Sequence, residues 1–117
     1  MKQKPIEDIK KQKVMDEIYR KEYMKQESVL NLKNLYLMLG IAENQIKTGE
    51  LFNAKDTCEL VALRRHQIKM QIHNQIFSMQ NHTDFQISDI ELISIKDEAR
   101  NELRDGKKNI VFEMIDI

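Results

Sequence analysis

Glu59, His66 and His73 follow one another at intervals of seven, so on a helix they share one face. Imidazole and carboxylate are metal ligands, and two such helices related by symmetry could hold an ion between them. Ligands supplied by a single helix stand three or four apart, however, and four residues after His66 comes Met70. Neither Glu-x-x-His nor His-Glu-x-x-His occurs, which argues against a di-iron carboxylate bundle and a zinc protease. The three residues read as a solvent-facing rim, and no metal is expected.

His82 and Asp84, two apart, have the makings of a general base with its orienting carboxylate. No serine or cysteine nucleophile is tied to them by a motif, and polar residues in a row after a helix are ordinary turn chemistry. Cys58 is the single cysteine, which excludes an internal disulfide and a multi-cysteine zinc site. It falls among apolar residues and reads as a buried, reduced thiol. Gly40, Gly49 and Gly106 are isolated, so there is no glycine-rich phosphate loop. No catalytic or cofactor-binding residue is expected. An enzyme or ligand site would have to be assembled at a symmetry axis, from Glu59, Arg65, His66 and His73.

Cations offer a second chemistry. Arg64, Arg65 and Lys69 form the densest basic patch of the chain's middle. An anion held there, with Lys10, Lys11 and Lys13 near the N-terminus, would make a nucleic-acid-associated regulator. Tyr19 and Tyr23, four apart, add thin support for stacking on single strands. The overall charge balance of 19 Lys/Arg against 19 Asp/Glu lacks the footprint of a nucleic-acid binder. Arg65 also has a structural reading: it is the one polar position in an apolar seam, where pairing with Glu43 or snorkelling to water would settle it.

These residues must be positioned by the helix that carries them, and its apolar pattern is the most informative feature of the chain. Leu51, Ala54, Cys58, Val61, Ile68, Ile72 and Met79 keep a three-then-four spacing, the seam of a helix packed lengthwise on another. Leu60, Leu63, Met70 and Phe77 repeat that spacing two positions out of step, about 200° around the helix. A helix with two opposite apolar stripes is sandwiched, and in so small a chain the second partner is expected to be another copy or another protein. Arg64 and Lys69 would stand at the rim of that contact.

The same logic extends along the chain. Pro5, Glu7 and Asp8 suit a helix start, and the apolar residues of 6–27 are sparse, as in a half-exposed helix or partly ordered arm. Leu32, Leu35, Leu39, Ala42 and Ile46 form a clean seam, with Gly40 inside it as a point of close helix approach. Thr48 and Gly49 read as the end of this helix, Gly49 as a left-handed cap, and the next helix begins at Glu50 or at an Asn53–Asp56 capping pair. Two long helices so briefly joined are antiparallel neighbours. Ser88 and Glu91 match a capping box ahead of Leu92, Ile95, Ala99 and Leu103, yet the isoleucine-rich residues 85–95 also suit a strand. Residues 110–117 are the clearer strand. A helix over 96–105 between two short strands is the expectation.

At 117 residues this is one domain, with a basic, amphipathic N-terminal helix (1–27), a helical hairpin core (28–80) and a small α+β element (85–117). The composition, with 3 Gly and 1 Pro among abundant Ile, Lys and Asn, fits an AT-rich genome such as a phage or mobile element. No apolar run is long enough to cross a membrane and no signal peptide is evident, so a cytoplasmic protein is expected. The fold class is mainly α with one or two short strands. The function expected is non-enzymatic interaction: a small homo-oligomeric adaptor, assembly factor or inhibitor that binds protein through an exposed helix face, without cofactor or membrane.

Overall fold

The computed structural model describes residues 6–105, with side chains from Asp8 onward. They form three helices: α1 (Ile6–Leu51), α2 (Lys55–Gln80) and α3 (Asp89–Arg104). Helix α1 is unbroken over 46 residues, about 69 Å at 1.5 Å per residue. Residues 6–27 and the first half of the hairpin are therefore one element. Lys, Glu, Gln and Met dominate the junction, and none of them breaks a helix.

Helix α2 runs antiparallel to the second half of α1, as the paired seams require. Cys58 Sγ donates to the carbonyl of Ile46 (3.6 Å), and Gln75 Nε2 donates to that of Ser28 (3.2 Å), so the two helices stay in register along their length. Helix α3 runs parallel to α1 on a different face. Lys25 pairs with Glu91 (3.0 Å), the Lys96 ammonium sits 5.9 Å from the Tyr36 ring centre, and Lys33 pairs with Glu102. Leu32, Ala42, Ile68, Ile72, Met79, Ile87 and Ile95 form the buried core where the three helices meet. The molecule is long, 75 × 28 × 24 Å.

The turn between α1 and α2 differs from expectation in an instructive way. Helix α1 passes through Gly49 and ends at Leu51. The left-handed residue is Asn53, at φ 54°. The Ala54 amide donates to Gly49 O (2.8 Å) and the Asn53 amide to Glu50 O (3.3 Å), which is the paired bonding of a Schellman ending. Asn53 thus closes α1 and does not cap α2, which starts without a side-chain cap. Gly49 serves a different purpose: a Cβ there would lie 2.6 Å from Cys58 Sγ, so its bare backbone is what lets α2 approach. Gly40 plays the same part for α3, as expected, with the end of the Leu103 side chain in the space a Cβ would need.

Residues 86–95 form no strand. Ser88 Oγ accepts from the Glu91 amide (3.2 Å) while Glu91 Oε1 accepts from the Ser88 amide (3.4 Å), a complete capping box that starts α3 at Asp89. Ile95 and Ala99, four apart, are buried against the core, which a helix achieves and a strand would not. The expected strand over 110–117 lies outside the described residues. The fold of the described residues is all-helical, and none of these helices is long and apolar enough to cross a membrane.

Candidate interaction surface on the second helix

The first stripe of α2 does what its spacing predicts. Ile68, Ile72 and Met79 are buried on α1, while Cys58 and Val61 are half-buried nearer the turn. Leu51 is the exception, exposed at the end of α1. The second stripe points to water along its whole length: Leu60 is 71% exposed, Leu63 59%, Met70 51% and Phe77 70%. Four large apolar side chains thus line one side of a helix whose other side is fully used by the core. Met70 belongs to this outer stripe, whereas Met79 is in the core.

The cations around this stripe separate. Arg64 lines a groove between α1 and α2, together with Leu60 and Gln67. Arg65 is half-buried, and no ion pair joins it to Glu43, which is exposed. Lys69 is exposed. Lys10, Lys11 and Lys13 lie on the first turns of α1, where every side chain from Asp8 to Arg20 is exposed. The antiparallel register places Lys69 near the level of residue 34 of α1, so Lys13 is roughly 30 Å from it along the helix axis. The basic residues do not form one continuous patch.

The remaining candidates lie on α2 and in the turn after it. Glu59, His66 and His73 are exposed, and no group of three or more potential metal ligands occurs among the described residues. His82 Nδ1 accepts from the Asp84 amide (3.1 Å), and its ring stacks on Phe85 with centres 4.1 Å apart. The Asp84 carboxylate turns instead to Arg20 (3.8 Å). The pair is a turn clamp between α2 and α3, with the acid and the imidazole engaged elsewhere. Cys58 is half-buried and reduced, hydrogen-bonded to α1.

One surface was not visible in the spacing. It is the groove itself, about 930 Å³, with Met38, Ile41 and Ala42 along α1, Leu60 and Leu63 on α2, and Phe52 at the turn. Its residues belong to two elements, so no single stretch of sequence announces it. The N-terminal part of α1, expected as a half-exposed helix or arm, carries Val14, Ile18, Tyr19 and Tyr23 exposed.

No family model, curated protein or solved structure matches the chain.

Proposed function

We propose that this protein acts by binding protein, as a small self-associating adaptor, assembly factor or inhibitor. The outer stripe of α2 is the contact surface, and its exposure along the helix is the observation that carries the reading. Leu60, Leu63, Met70 and Phe77 lie at helical spacing, the pattern by which one amphipathic helix is read by another surface. Fully burying such side chains is worth about 1.5–3 kcal/mol each, enough for a stripe of four to anchor an interface. Arg64 and Lys69 flank it as a polar rim. Because α1 already covers the opposite side of α2, a partner on this stripe completes the sandwich.

Self-association is the first form of this contact to test. The absolute mass in solution of the parent chain is expected to be a multiple of 13.9 kDa. A Leu63→Glu/Phe77→Glu variant is expected to return to a single chain while keeping its helical circular dichroism. Both positions are exposed, so the fold does not depend on them. A parent that is already a single chain would assign the stripe to a foreign protein. A variant that self-associates and binds protein exactly as the parent does would end the reading. Nucleic-acid binding, through Lys10, Lys11 and Lys13 with Arg64, Arg65 and Lys69, draws less support because these cations are divided between two regions of the molecule.

A further inference from the structure

The groove between α1 and α2 does not stop at its apolar end. Past Met38 it continues toward the middle of the hairpin as a second open stretch of about 480 Å³, lined by Asn31, Asn34, Gln71, Asn74 and Gln75 beside the half-buried Leu35. From Asn31 to Gly49, α1 runs about 27 Å along the two stretches. Helix α3 lies on the other side of α1, where Lys33, Tyr36 and Gly40 meet it. Asn31, Asn34 and Met38 each stand two positions before one of these, about 200° around the helix.

The chemistry of this face differs from that of the chain as a whole. Charged residues make up 32% of the sequence, yet Arg64 is the only one among the described residues that line the groove. Loss of charge from an exposed face is the mark of an interface centre, because Lys and Glu are costly to strip of water.

What stands in place of charge bears on the occupant. A carboxamide carries donors and an acceptor together, so it can pair with a copy of itself, whereas a face of lysines or glutamates would repel its own copy. A two-fold axis brings like to like in this way. Of the five carboxamides, Gln75 alone hydrogen-bonds within the described residues, donating to the Ser28 carbonyl (3.2 Å). Asn31, Asn34, Gln71 and Asn74 are exposed.

We propose that a second copy of this chain packs its hairpin onto this groove, on the side opposite α3, so that α1 and α2 of both copies form a four-helix bundle. Leu60 and Leu63 belong both to the groove and to the outer stripe, and they supply the apolar part of the contact. Asn34, Gln71 and Asn74 meet carboxamides of the other copy and fix its register, as a buried asparagine does in a coiled coil. Met70 and Phe77, outside the groove's lining, stay at the edge. The assignment rests on the self-association read from the α2 stripe and moves its centre into the groove.

The test compares two variants of the full chain that add the same charge to different faces, each read as absolute mass by light scattering. Asn34→Lys/Gln71→Lys puts two ammonium groups into the groove, where no carboxylate among the described lining residues would pair with them. The parent is expected at two chains and this variant at one, a twofold fall in mass with unchanged helical circular dichroism. Met70→Lys/Phe77→Lys is expected to keep the parental mass. The reverse pattern, or loss of association in both variants, would centre the contact on the outer stripe. Either result would overturn the groove assignment and leave self-association standing. Two variants that both keep the parental mass would overturn it as well, as would a parent of any mass other than two chains. If the groove variant loses helical circular dichroism, Gln71→Lys alone, at one exposed position, gives the same reading.

Discussion

Lys33 of α1 and Glu102 of α3 form an ion pair beside the point where Leu103 rests on Gly40, with side chains only 20% and 23% exposed. The hydrogen bond to Glu102 raises the Lys33 ammonium above its ordinary range, against a smaller opposing effect of burial. A raised folded-state value means that the stabilisation is complete below the ordinary lysine value and is lost as pH climbs through the raised one. Lys33→Met is expected to lower stability by about 1 kcal/mol at neutral pH. The gap between variant and parent should close in strongly alkaline urea titrations.

At the other end of the same interface, Glu91 has two tasks. It pairs with Lys25 and completes the capping box of Ser88. The Lys25 hydrogen bond is the main reason its carboxyl lies below the usual range, with Ser88 adding to the effect. For a depressed carboxyl the sign reverses: its stabilisation is present above the ordinary glutamate value and disappears as pH falls through the lower folded one. Protection of α3 amides, taken relative to their intrinsic exchange rates at each pH, is therefore expected to fall on acidification before protection at the α1–α2 contact does. Ser88→Ala should cost about 1 kcal/mol, read as a lower urea midpoint.

Gly49 and Cys58 offer a test of close approach. Gly49→Ala places a methyl 2.6 Å from Cys58 Sγ, with the Ala54 carbonyl close behind at 3.8 Å. The single substitution is expected to destabilise the hairpin. Adding Cys58→Ala should recover part of the loss, for a coupling of about 1 kcal/mol in a double-mutant cycle.

Asn53 carries the positive φ of the turn. Asn53→Ala is expected to lower stability by about 1 kcal/mol, because the crowding of Cβ against the carbonyl at this backbone angle is offset by the short polar side chain of Asn and not by the methyl of Ala. Asn53→Gly should not lower it by that amount. Thermal unfolding of the two variants separates the effect of backbone angle from loss of the amide side chain.

How far the sequence was legible follows from which residues decide each feature. The hairpin over 28–80 was readable because Leu32, Ala42, Ile68, Ile72 and Met79 repeat at helical spacing and all end up buried. The outward stripe was readable for the same reason, since periodicity reports direction as well as helix type. The start of α3 was readable in Ser88 and Glu91, but Ile90 and Ile93 blurred it. These two are 80% and 61% exposed, and an isoleucine left in water looks in sequence like an isoleucine alternating in a strand. Gly49 misled for a different reason. A glycine that ends a helix and a glycine that admits a neighbour are the same letter, and only the position of Cys58 distinguishes them. The groove was illegible because Ile41 and Leu60 meet only after the hairpin has closed.

The shared reliance of α2 and α3 on α1 bears on the order in which the molecule assembles. The links between α1 and α2 span 12 residues of chain at Cys58–Ile46 and 47 at Gln75–Ser28. Those that hold α3, Lys25 to Glu91 and Lys33 to Glu102, close loops longer still. Closing a longer loop sacrifices more chain entropy, so the hairpin should form first and α3 should settle onto a surface already prepared for it. On a ribosome the same sequence of events would follow the direction of synthesis. Helix α3, made after the hairpin, would also be the last of the three described helices to arrive, and under stress the first to leave.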